Sequence, residues 1–178
     1  MNNLLTRYFR LLGYLLVLAV LTQLISPAPK ANATQTTYKV GDTTKTGGTV
    51  FYVLPPETQS SWHYLEVAPN NWDSGKLVST SYKKAESYVY TYKDKSWFIP
   101  SADDFATLYT EYKAKHLIGN SIQPGRYWTS TGAVDPTNNK ISSLQVFNTS
   151  TRKTTAQSYT NATNGKILLR VRPIRYFD

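Results

Sequence analysis

The sequence contains no cysteine. Its fold therefore holds without disulfides, no cysteine can take a lipid at the N-terminus, and no thiolate is available for catalysis or metal binding. Histidine is nearly missing too. His63 and His116 are the only two, and neither lies in a recognisable nucleophile or metal motif, since H-E-x-x-H and G-x-S-x-G are absent. His63, in an alternating strand, reads as an ordinary surface or interface histidine, and His116 is placed to cap the end of a helix. Acidic residues are outnumbered, 11 against 20 lysines and arginines. Paired carboxylates of the glycosidase kind stay open, because their separation cannot be read from a sequence. We expect no catalysis, no cofactor and no metal. A second long apolar run is lacking as well, so after residue 33 we expect a domain outside the membrane.

The one long apolar run stands at the N-terminus. Arg7 and Arg10 precede an apolar stretch from Leu11 to Ile25, followed by Ser26-Pro27-Ala28-Pro29 and Ala31-Asn32-Ala33. A basic start, a short apolar centre and an A-x-A site describe a secretory signal peptide, with cleavage expected after Ala33. The run is short for a span, which needs about 20 residues. An uncleaved anchor is the alternative and the one membrane contact expected. Residues 1–33 are read as signal peptide, 34–48 as an N-terminal arm and 49–178 as the domain. Cleavage leaves 145 residues (178 minus 33) and removes three basic residues and no acid, so 17 minus 11 gives +6 in place of +9. The product is exported (secreted, periplasmic or at the cell surface) and still basic, which favours polyanionic partners.

Within the domain, Thr49 to Leu54 reads as a strand ended by Pro55-Pro56, and Trp62 to Ala68 as a second. Gly47-Gly48 lacks the lysine and hydroxyl of a phosphate loop, which excludes that kind of nucleotide site. Tyr82, Ala85, Tyr88, Val89 and Tyr92 fit helical spacing, and although Tyr88 to Tyr92 alternates well enough for a strand, we expect a helix. Trp97-Phe98-Ile99 reads as a short buried strand stopped by Pro100. Ser101 and Asp104 form a capping-box pattern for a second helix, whose apolar face is Phe105, Leu108, Tyr109 and Tyr112. Asp103 and Asp104 favour the positive end of its dipole. Tyr127 to Thr131 is a short extended segment. Asp135-Pro136-Thr137-Asn138-Asn139 is turn chemistry. Three strands then follow, from Ile141 to Asn148, Arg152 to Tyr159 and Lys166 to Arg175, the last pair joined through Asn164-Gly165. In the last, Ile167, Leu169 and Val171 share one face, and Leu168, Arg170 and Arg172 the other. The fold class is α+β, a single domain with two helices and a C-terminal antiparallel β-meander.

Four segments carry a family resemblance. Gly41-Asp42 with Gly47-Gly48-Thr49-Val50-Phe51-Tyr52-Val53, Trp97-Phe98-Ile99-Pro100-Ser101 with Phe105 and Leu108, Tyr127-Trp128-Thr129-Ser130-Thr131, and Arg170-Val171-Arg172-Pro173-Ile174-Arg175 resemble, in order and spacing, the C-terminal domain of the Legionella collagen-like adhesin family. The resemblance implies a C-type-lectin-like fold in a surface or secreted protein, with binding of sulfated glycosaminoglycans in its best-known member. There are departures. No Gly-X-Y tract is present to support a collagen trimer. Leu144 stands where many relatives have tryptophan. The calcium-lectin triplets are absent, Asn71-Trp72-Asp73 being only a scrambled echo. Formylglycine-generating enzymes, which share the fold, rely on cysteines.

Basic side chains are thus the candidate ligands. If Lys166–Arg175 closes the meander, Arg152 and Lys153 in the preceding turn approach Arg172 and Arg175, and arginine's planar fork suits sulfate and phosphate. Internal bonding of Arg170, Arg172 and Arg175 is the competing reading. Lys113 and Lys115 at the end of the second helix, and Lys83 and Lys84 in the first, complete the candidates, with dipole complementation and a solvated face as their ordinary roles. Trp97 and Trp128 read as core. No nucleic-acid motif is present and the basic residues are scattered, which argues against that partner. The reading is an adhesin-like, non-catalytic binding module for sulfated or anionic glycans, host surfaces included. A structural or assembly subunit with a protein partner or self-association is the alternative.

Overall fold

The computed structural model describes residues 36–74, 79–117 and 122–178. The expected signal peptide and its cleavage site lie outside the described residues. Thr37–Asp178 is one unit of mixed α+β structure, with two three-stranded antiparallel sheets and three helices among the described residues.

The first sheet has the order β1-β2-β6, with β1 Thr49–Val53, β2 Tyr64–Val67 and β6 Ile174–Phe177. β2 sits in the middle, and all four of its residues are buried. The second sheet is a meander of β3 Arg126–Asp135, β4 Lys140–Asn148 and β5 Lys153–Ser158. Helix α1 is Tyr82–Thr91, α2 is Ala102–Lys113, and a single turn, α3, is Tyr159–Thr163. Among the described residues no helix is long and apolar enough to cross a membrane.

Helix α2 starts as its local sequence dictates. The Ser101 hydroxyl accepts from the Asp104 amide at 3.1 Å, while the Ser101 amide donates to the Asp104 carboxylate at 3.0 Å, satisfying two orphan donors of the first turn. Phe105 and Leu108 are fully buried. On α1, Tyr82, Ala85 and Val89 face inward, but Tyr88 is exposed, because it lies off that stripe.

Two apolar clusters make the core. One gathers Ala85, Val89, Trp97, Trp128, Leu144 and Val146. The other gathers Phe51, Phe105, Leu108, Tyr127, Phe147 and Ile174. Neighbouring residues of β3 and β4 fall in different clusters, so the base of the second sheet is buried on both faces. Its far end is not. Residues 130–134 of β3 and 140–142 of β4 are all exposed.

The C-terminal segment corrects the expected topology. The meander exists, but its first strand is β3, longer than the short segment expected there, and Lys166–Arg175 is not its third. The chain after β5 turns into α3, then runs beside the opposite edge of the sheet. The Trp128 amide donates to the Arg170 carbonyl at 2.9 Å, and Leu169 exchanges both backbone bonds with Thr80. Ile167, Leu169 and Val171 do turn inward as their alternation required. Pro173 has no N–H to continue a ladder, and only beyond it does β6 pair with β2, Ile174 opposite Val67 and Arg175 opposite Glu66. Phe98 meets Ile174 in an isolated bridge rather than within a strand of its own.

Gly48 has a close-approach reason. A Cβ there would stand 2.5 Å from the Glu66 carboxylate and 2.8 Å from the Val67 carbonyl, so only glycine lets this backbone pass against the buried acid.

Candidate functional site

The structure sorts the eight candidate basic residues into inner and outer groups. Arg172 is 5% exposed. Its guanidinium donates to the Pro69 carbonyl at 3.3 Å and to the Asn70 side chain at 2.9 Å. Burial pulls its pKa down to about 10, which leaves it charged at neutral pH. Arg175 lies opposite fully buried Glu66 and reaches its carboxylate at 2.5 Å, with Asp94 on the other side at 3.1 Å. Its planar group also sits over the Trp97 and Phe177 rings, at 5.3 and 5.4 Å. The Thr44 hydroxyl donates to Glu66, as does that of Thr46 at 3.0 Å. Asp94 is held below the usual carboxylate range, first by the Ser96 hydroxyl and with help from Arg175. Both arginines thus hold the domain together.

Arg152 and Lys153 stand elsewhere. Since β6 belongs to the first sheet, no pairing sets them beside Arg172 and Arg175, and the four-residue patch expected from a closing meander strand is not formed. Both are exposed, Lys153 at the start of β5 and Arg152 in the turn before it, where the Arg152 amide donates to the Asn148 carbonyl at 2.8 Å. Their neighbour is one the sequence reading passed over. Arg126, Asn148 and Lys153 lie opposite one another across β3, β4 and β5, so their side chains share a face, with the outer two strands about 10 Å apart. Only the register of β3 on β4 reveals this.

Lys113 and Lys115 frame the end of α2. The His116 amide donates to the Glu111 carbonyl and the Lys115 amide to the Tyr112 carbonyl, both at 3.1 Å, which is the paired bonding of a Schellman ending. That motif needs left-handed backbone at Lys115, whose φ is 61°, where glycine is the usual occupant. The His116 ring meets the Glu111 carboxylate at 2.6 Å. Tyr112, Lys113, Lys115 and Leu117 line an open cleft of about 300 Å³. Among the described residues neither lysine has a carboxylate partner. The cleft therefore offers two ammonium groups, a half-buried phenol ring and an apolar wall.

Lys83 and Lys84 lie on the exposed side of α1, with the Lys84 ammonium 5.7 Å from the Tyr88 ring. No cluster of three or more histidine or acidic side chains able to hold a metal occurs among the described residues. His63 is half-exposed and bonded to the Asp178 carboxylate.

Comparison of the sequence with protein-family models and with curated proteins returned no match. The α+β architecture and the division of the basic side chains are thus the ground for a functional reading.

Proposed function

We propose that this chain is an exported, C-type-lectin-like, non-catalytic module that holds sulfated or otherwise anionic glycans in the Lys113–Lys115 cleft, with Arg152 and Lys153 as further contacts. The observation that carries the reading is the cleft itself: two lysines without carboxylate partners among the described residues, beside Tyr112, in a space open to solvent. Ammonium groups supply charge for a sulfate or carboxylate, and the tyrosine ring supplies a face for a sugar's C–H edge. The resemblance of the four sequence segments to the Legionella collagen-like adhesin domain supports the same class of ligand and fold. Arg172 and Arg175, bonded inward, have no part in it. Attraction of this kind is screened over roughly 8 Å at physiological ionic strength, so binding is salt-sensitive.

Retention on immobilised heparin across a salt series tests this reading. We expect elution above physiological salt, moved to clearly lower salt in Lys113→Ala/Lys115→Ala and less so in Arg152→Ala/Lys153→Ala. Elution at low salt, unchanged in the first variant, would sink it. A role in assembly has one observation of its own: Val134 and Ile141 pair across the exposed β3–β4 hairpin at 52% and 44% exposure. Light scattering that finds an oligomer, broken by Val134→Ser/Ile141→Ser, would favour that second reading.

A further inference from the structure

A second cleft, of about 210 Å³, lies against one side of α1, with Tyr82, Glu86, Val89, Tyr90, Trp97 and Ser130 among its lining residues. The four from α1 fall at i, i+4, i+7 and i+8, one stripe of the helix. Val89 and Trp97 are buried, so the floor is apolar, while Glu86, Tyr90 and Ser130 are exposed at the rim. Glu86 is the one charged side chain in the lining, and it has no ion-pair partner among the described residues. Burial and then the Glu86 carboxylate push the Tyr82 phenol up to about 12, which keeps it a hydroxyl beside the acid. The wall also includes Trp97, whose buried indole N–H has no partner among the described residues.

These groups discriminate among ligands. An anion is repelled by Glu86, in contrast to the lysine cleft. An aliphatic guest would desolvate a carboxylate and the hydroxyls of Tyr82, Tyr90 and Ser130 without bonding them, which costs more than its burial returns. A compact cation satisfies Glu86 but leaves the hydroxyls unanswered. A ring that carries several hydroxyls, apolar on one face, answers all of them: it donates to the carboxylate, exchanges bonds with the serine and tyrosine hydroxyls, and lays C–H groups on the Tyr90 ring, which is 59% exposed. The space is below the range of drug-sized pockets, which limits the guest to a single ring. We propose that this cleft binds one uncharged or amino hexopyranose unit, with Glu86 as its anchoring acceptor.

Saturation-transfer NMR on the purified protein tests the proposal, with the methyl glycosides of glucose, galactose, mannose and N-acetylglucosamine, and with glucosamine, each up to roughly 10 mM, the range in which weak single-ring sites fill. We expect transfer to at least one of them. The affinity should fall about fivefold or more in Glu86→Gln, which preserves size, and in Tyr90→Ala. Both positions are solvent-facing on α1, so circular dichroism should show the helix intact. A gain for glucosamine that fades with salt identifies the amine as the bonded group; equal binding of the neutral sugars identifies a hydroxyl. Absence of transfer from every pyranose, or affinity unchanged in both variants, overturns the proposal.

Discussion

β1, β2 and β6 span 5, 4 and 4 residues and enclose a fully buried glutamate with an arginine bonded to it, whereas β3 and β4 span 10 and 9 residues and bury no charge at all. In the first sheet, register is held by groups whose hydrogen bonds have direction: Glu66, Arg175, Thr44 and Thr46. In the second, the base is held by apolar packing on both faces and the distal hairpin runs on into solvent. The contrast explains which basic residues are available to a ligand. Arg175 in the first sheet neutralises a buried acid, and Arg172, just before β6, bonds the Pro69 carbonyl and the Asn70 side chain. Among the described residues, the cations on the second sheet and at the end of α2 have no carboxylate to neutralise.

The contrast can be broken at its strongest point. Arg175→Ala leaves Glu66 buried with only hydroxyl partners, and we expect a loss of about 3–5 kcal/mol, read as a fall in the denaturant midpoint. The double variant Glu66→Leu/Arg175→Met should recover most of that loss, since apolar replacement of a buried pair is often close to neutral. A double variant as unstable as the single one would show that the pair is not what secures the sheet. A smaller effect separates the two ends of the second sheet. Leu144→Ala, at a fully buried position, should cost about 2–5 kcal/mol, while Ile141→Ala at the exposed tip should stay within about 0.5 kcal/mol. Equal costs would mean the tip is packed against something. The smallest change sharpens the link to function: Lys115→Gly relieves the left-handed backbone and should raise stability by about 0.5 kcal/mol, yet elute earlier from heparin. A gain in stability without loss of heparin retention would remove Lys115 from the site.

Legibility followed distance along the chain. Ser101, Asp104, Phe105 and Leu108 announced α2 because capping and one helical face are settled within a few residues. The inward alternation of Ile167, Leu169 and Val171 was equally readable. Their partner was not, since the choice between β5 and the far edge of β3 depends on residues such as Thr80 and Arg126, remote in sequence. The candidate site divides the same way. Lys113 and Lys115 were evident from their place at a helix end. Arg152 and Lys153 were evident too, but the neighbours assigned to them were wrong, and Arg126 was passed over.

By itself the sequence determined the class of the fold, the two longer helices, the hairpin strands β4 and β5 and the basic character of the domain, because composition, period and capping act locally. Tertiary structure alone decided that β6 joins β2, that Arg172 and Arg175 turn inward while Lys113 and Lys115 stay outside, and that Glu86 stands alone in its cleft. Whether a charge is engaged or available depends on which opposite charge the packed chain places beside it, and that neighbour comes from another part of the chain.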